Sequence, residues 1–312
     1  MINNKYLPEG ILIKSEVNNE YLSSLTMLEK AMSDGIILEG VASRCDNDYK
    51  LSVNLGNYVG YMDREEVMMT SIGESVKDIA IITRVGKPIC FKIYGIDKGL
   101  NGEPIIKLSR RMAQLECMEN KLSKLNAGDI IPACVTHLEQ FGAFVDIGCG
   151  IISLLSIDSI SVSRISHPKD RLFVGNKIYC IIKSIDSEAN RIYVSHKELL
   201  GTWEENVRDF EVGQTVTGIV RSIEDYGIFV ELTPNLAGLA EYKEGIEVGQ
   251  KAAVYIKNII PERMKIKLVI IDACKNDSTR NSGKFKYYYQ NEHIDSWKYS
   301  PESSLKTIET IF

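Results

Sequence analysis

The sequence predicts a mainly β chain: tandem small barrels joined by short helices, with a small α+β add-on at the C-terminal end. Three observations lead there. The chain repeats itself at a spacing of roughly 75 to 95 residues, far too long for a solenoid. Each copy is made of short apolar runs rich in Val, Ile, Tyr and Phe, such as AFVDIG, KIYCIIKSI and RIYVSH, separated by turn residues. Helical spacing is confined to a few segments near or between copies.

The repeats show best in the middle of the chain. QFGAFVDIG (140–148) recurs as DYGIFVEL (225–232) at an offset of 85, and FVGNKIYCIIKSID (173–186) recurs as EVGQKAAVYIKNII (247–260) at 74. The third copy is therefore 11 residues shorter between these blocks, and the deletion falls on SISVSRISHPKDR, which reads as a loop where a length change is cheap. RVGKPICFKIYGID (84–97) marks a fainter first copy. The Gly in FGAF and YGIF suits a bulge or tight bend where a small barrel must curl.

The elements follow in order. Residues 1–34 form an N-terminal segment whose NNEYLSSLTMLEKAMSDG stretch has helical spacing. The divergent copy spans 35–112, a helical linker 113–125, the second copy 126–199, a second helical linker 200–211 and the short third copy 212–272. The tail, 273–312, opens with the polar linker KNDSTRNSGK. A hairpin around Gln290 and Asn291 follows. A helix is predicted to begin at Ser300, Pro301 and Glu302, which read as cap, first position and acidic first turn.

Composition narrows the function. Of 312 residues, 44% are hydrophobic and 25% charged, ordinary for a globular chain. Thirty-seven basic against 42 acidic side chains exclude a strongly basic, histone-like binder but not a local basic face. The deficit sits mainly in 201–275, with 9 basic against 12 acidic, whereas 116–200 carries 9 against 10. Seven scattered cysteines without a C-x-x-C read as reduced thiols of a cytoplasmic protein, and the four histidines lack zinc-ligand spacing. No run of 18 apolar residues and no secretory leader is present, so no membrane partner is expected. P-loop, GxGxxG, HExxH and GxSxG signatures are absent, so neither catalysis, a cofactor nor a small-molecule substrate is expected.

Aromatic and basic residues carry more information. Phe141 and Phe144 flank a Gly and can share one face of a bent strand; Tyr226 and Phe229 repeat the pair. Rings on a barrel face are stacking platforms for single-stranded nucleic acid, since every base has a π-face. Packing into the core is the competing reading, closest for Phe144 between Ala143 and Val145. Basic residues recur late in each copy: Arg191 and Lys197 in the second, Arg263, Lys265 and Lys267 in the third. The last three alternate, which places them on one face of a strand as a phosphate track or as a solvated outer strand.

With these residues in place, the second copy resembles the RNA-binding domain named after ribosomal protein S-one, a five-stranded OB-fold barrel. The resemblance rests on GDIIPACV, FGAFVDIG, SLLSI, ISHP, the VG and ID pairs, and RIYVSHKEL. It is good in the third copy and divergent in the first, where RVGKP and KLSRR carry it; 201–241 further resembles short homologues from Clostridia-like Firmicutes. The resemblance implies that Phe141 and Phe144 are the RNA-face aromatics, with Asp186 and Arg191 as its acid and base. The family's histidine position is Ser156 here. In the third copy Tyr226, Phe229 and Lys265 match, and Glu241 takes the histidine position. In the first, Tyr49 and Ser52 stand at the aromatics, Asp63 at the histidine and Ile105 at the base, so an interaction role is expected there. The implied function is binding of single-stranded messenger or ribosomal RNA in translation, with the small ribosomal subunit as a partner. Two alternatives stay open: a protein-interaction adaptor, favoured by the acidic total, and a regulator of RNA decay or transcription.

Overall fold

A computed structural model describes residues 5–70, 73–186, 191–275, 284–289 and 291–312. Most of the linker expected over 275–284, and Gln290 of the expected hairpin, lie outside the described residues. The chain divides into two compact units. One holds residues up to Leu125 together with Pro132–Cys134 and Asp146–Ile152; the other holds the rest.

The first unit opens with two short helices, α1 (Glu16–Tyr21) and α2 (Leu25–Ser33), where one was expected. Ser24 breaks the run: its side chain accepts a hydrogen bond from Met27 N at 3.3 Å and starts a new helix. The first barrel follows, with β1 (Leu38–Cys45), β2 (Leu51–Leu55), β3 (Tyr58–Met62), β4 (Pro88–Lys98) and β5 (Pro104–Ser109), and a short α3 (Asp78–Ile82) before β4. Leu28 of α2 packs into a core of Leu51, Val53, Phe91 and Leu108. Ser109 then caps α4 (Arg110–Asn120), part of the expected helical linker, by accepting from Met112 N at 2.9 Å. Arg110, almost wholly buried, donates to the Glu9 carboxylate at 2.6 and 3.0 Å, which meets the requirement that a buried charge be paired.

The second barrel comprises β6 (Ile130–Glu139), β7 (Gly142–Asp146), β8 (Ile152–Ser156), β9 (Lys177–Asp186) and β10 (Arg191–Ser195). The third comprises β11 (Thr215–Glu224), β12 (Gly227–Thr233), β13 (Leu236–Ala240), β14 (Lys251–Ile260) and β15 (Lys265–Cys274). All three are closed and share one strand order, first–second–third–fifth–fourth, with the third and fifth strands parallel. That is the five-stranded OB-fold arrangement the sequence predicts. Closure demands close backbone approaches, which explains the glycines of FGAF and YGIF. A Cβ on Gly142 would stand 2.5 Å from the Leu155 carbonyl oxygen. At Gly227 a Cβ would collide with the Ala240 carbonyl oxygen. Between the second and third barrels, a 3-10 turn at Lys197–Leu200 leads into α5 (Trp203–Val207), a single short helix within the helical linker expected over 200–211.

The tail differs from expectation. The helix predicted from Ser300 is not formed; the segment instead holds a two-stranded sheet of β16 (Ser296–Lys298) and β17 (Glu309–Ile311). Ser300 Oγ accepts from Ile308 N at 2.6 Å, eight residues on, rather than from a helix's own first turn. Long-range contacts explain the override. Trp297 and Tyr299 are buried among Trp203, Val230 and Leu268 in the core of the third barrel, and Trp203 N donates to Tyr299 O at 3.0 Å. Residues 287–289 and 291–294 meet the second barrel: Tyr287 and Tyr289 set their rings against Tyr179, and Ile130 N donates to Glu292 O at 2.8 Å.

Candidate nucleic-acid interface

In the second barrel, alternation along β7 buries Ala143 and Val145 and turns Phe144 outward, half-buried. Phe141, in the preceding turn, is 56% exposed. The two rings meet edge to face, 6.0 Å between centroids at 90°. The third barrel repeats this almost unchanged: Tyr226 is 69% exposed and its ring meets half-buried Phe229 at 6.1 Å and 88°.

Strand register shows what lies beside the rings. In the third barrel Phe229 stands opposite Ser222 on β11 and Leu239 on β13; Leu239 is opposite Lys267 on β15, and Lys267 opposite Asn258 on β14. Directly opposed residues share a sheet face, so Lys267 belongs to the aromatic row. Lys265, two residues earlier, points the same way. Arg263 does not join them. It lies in the 3-10 turn Pro261–Arg263, and Met264, at φ +49, breaks the alternation that put the three cations on one strand. Glu241 is exposed and 3.8 Å from Lys257 Nζ, which offsets its charge.

In the second barrel Tyr193 of β10 is opposite Leu154 on β8 and Ser184 on β9, while Arg191 is opposite Asp186 at the strand ends. Ser156 Oγ donates to Ser159 Oγ at 2.9 Å, and Lys183 Nζ lies 3.4 Å from the same Ser159 oxygen. Lys197 stands apart: it sits half-buried in the 3-10 turn after β10, and its carbonyl accepts from Asn235 Nδ2 at 2.8 Å.

Three residues that sequence reasoning passed over join this face. His137 of β6 stacks on Phe144, 6.3 Å between centroids at 25°, and so supplies a third ring although Ser156 does not. Its Nε2 lies 2.7 Å from Glu139 Oε1. Tyr193 and Lys183 are the others. Tyr193 was legible two residues after Arg191, on the same strand face.

The first barrel presents a different surface. Arg44, Ser52, Tyr61, Lys107 and Gly95 form the matching row. Its cations are largely engaged: Lys107 Nζ with Asp97 at 2.6 Å, and Lys50 Nζ with Asp63 at 2.9 Å. Arg64 sits over the Tyr49 ring at 4.8 Å and pairs with Asp78. Ile105, opposite Asp97, leaves no cation at the base position.

Residues 124–197 match the S1 RNA binding domain family. The chain thus contains an S1 RNA binding domain, its second barrel. It is similar to the "Small ribosomal subunit protein bS1" of Staphylococcus aureus (strain COL), 31% identical over 229 residues, covering 68% of this chain and 58% of that one. To the protein of the same name from Rickettsia conorii it is 28% identical over 246 residues, covering 73% and 42%. The chain thus spans about half the length of the curated relatives it matches. Among solved structures it is similar to a multidomain protein with nucleic acid binding domains from Streptococcus pneumoniae, 16% identical, covering 76% of this chain and 74% of that one, TM-score 0.25. Among the described residues no helix is long and apolar enough to cross a membrane, and no group of His, Cys, Asp and Glu could hold a metal ion.

Proposed function

We propose that this protein binds single-stranded RNA in translation, by stacking bases on the aromatic pairs of its second and third barrels. The repetition of one ring geometry on two barrels carries the reading. Each pair combines an outward ring with a half-buried one that holds it edge-on. Stacked bases contribute about 1–3 kcal/mol each by alanine substitution. Arg191 and Lys183 on one barrel, Lys265 and Lys267 on the other, supply phosphate contacts beside the rings. Two modest sites on one chain reinforce each other through effective concentration. The small ribosomal subunit and its messenger are the partners that this reading favours.

The test is a fluorescence titration of an unstructured RNA at two salt concentrations. Saturable binding that weakens with salt is expected. Phe141→Ala with Arg191→Ala should weaken it while the melting temperature stays nearly constant, because both side chains are exposed. A large fall in stability would mean that Phe141 is a packing residue. The adaptor reading keeps one observation in its favour, the self-paired charges of the first barrel, and co-sedimentation with ribosomal subunits using a first-barrel Tyr61→Ala variant addresses it.

A further inference from the structure

The third barrel's aromatic pair does not stand on an open surface. A cleft of about 620 Å³ lies beside it, with Tyr226 and Phe229 on one side. Its other side is residues 162–166, which belong to the second barrel's β8–β9 connection. This is the loop that the third copy lacks, so the third barrel cannot build such a wall from its own sequence.

The wall is held rigidly. Val162 N donates to Asn235 Oδ1 at 2.9 Å and Ser163 N donates to Pro234 O at 3.1 Å. Ser161 Oγ donates to Ser163 O at 2.9 Å and accepts from Arg171 Nε at 3.2 Å. Arg171 in turn forms a two-pronged, buried ion pair with Glu231 of β12, and Arg221 Nε donates to the same carboxylate at 2.8 Å. Arg221 is thereby committed. Arg164, at the middle of the wall, is exposed, and its planar fork of N–H donors suits a phosphate. Beside it Ser163 Oγ is buried at the cleft wall with no hydrogen-bond partner among the described residues, an exception to the rule that buried polar groups are paired. Among the described residues that line the cleft, the one carboxylate is Glu224, which opposes a phosphate and accepts from base N–H groups.

We infer that this cleft is a composite nucleotide subsite, in which Tyr226 stacks the base and Arg164, lent by the second barrel, binds its phosphate. The inference rests on the RNA-binding reading above and adds to it a site that needs both repeats. The volume lies in the usual range for a small-ligand site, about 300–1,000 Å³. RNA leaving the second barrel's face then reaches the third barrel along a wall that already belongs to the second.

The test uses the full chain and a fluorescein-labelled oligoadenylate. Arg164→Ala should weaken binding about three- to ten-fold and lower the slope of log affinity against log salt by about one, as for loss of one phosphate contact. Combined with Tyr226→Ala it should cost less than the two losses summed, because both side chains hold one nucleotide; combined with Phe141→Ala the losses should add. If Phe141→Ala weakens binding but Arg164→Ala changes neither affinity nor salt slope, the subsite is wrong and the RNA reading stands. Additivity of Arg164→Ala with Tyr226→Ala also overturns the subsite. Absence of saturable binding by the unaltered chain removes both.

Discussion

The buried cluster of Arg171, Arg221 and Glu231 makes the sharpest stability prediction. Side chains of Arg171 and Glu231 are only 4% and 5% exposed, and Arg221 is 13% exposed. Glu231→Gln keeps the shape but removes the charge. It also turns an amide N–H group toward one guanidinium, so two buried cations share a single neutral acceptor. Removing one partner of a buried ion pair costs about 3–5 kcal/mol, since the remaining charge stays desolvated. In a unit of this size about 2–4 °C of melting temperature accompanies each kcal/mol, so a fall of about 6–20 °C is expected. Arg221→Ala should cost clearly less, because Glu231 keeps its two-pronged partner Arg171. Urea denaturation followed by circular dichroism reads both variants. A loss below about 1 kcal/mol for Glu231→Gln, or a larger loss for Arg221→Ala, would refute the view that this cluster anchors the loop electrostatically.

Three further outcomes follow from the same unit. Burial pushes the His196 imidazole down to about 4 from its usual 6.5, so the unfolded chain binds more protons between those values. Its contribution to stability, at most about 3 kcal/mol, is present above pH 6.5 and lost as pH falls through 4, and His196→Gln should flatten that part of a stability–pH curve. Ser163→Ala should stabilise the free protein by about 1 kcal/mol, because it removes an unpaired buried hydroxyl; thermal melting showing destabilisation contradicts this. Trp297→Ala should cost about 3–5 kcal/mol and red-shift the remaining Trp203 emission, since both rings lie in the third barrel's core; an unshifted spectrum would place the tail outside that core.

The repeat made much of this legible. Two copies with the same FG or YG turn placed both aromatic pairs on barrel faces, and the structure gives them matching geometry. What stayed hidden depended on parity or on distance. His137 is the clearest case. It aligns with Ser222 across the repeat, and the β11–β12 register slips between Val220 and Ser222. In β6 itself the inward alternation of Ile131, Ala133 and Val135 stops before exposed His137, so counting by twos does not find it. Arg263 failed for the same reason at a turn. The tail departs from its predicted helix because its local cap signals are overruled by the burial of Trp297 and Tyr299 against residues far away in sequence.

The tail's contacts have a consequence for how the second unit reaches its native state. Asp129 pairs with His293 and Trp203 with Tyr299, so two barrels each wait for a partner synthesised long after their own strands. Such long sequence separation slows folding and leaves apolar surface such as Ile130 and Leu199 uncovered in the meantime. Refolding should therefore show a late phase in which tryptophan emission shifts after most of the β signal has formed, and proteolysis within the tail should loosen both barrels together.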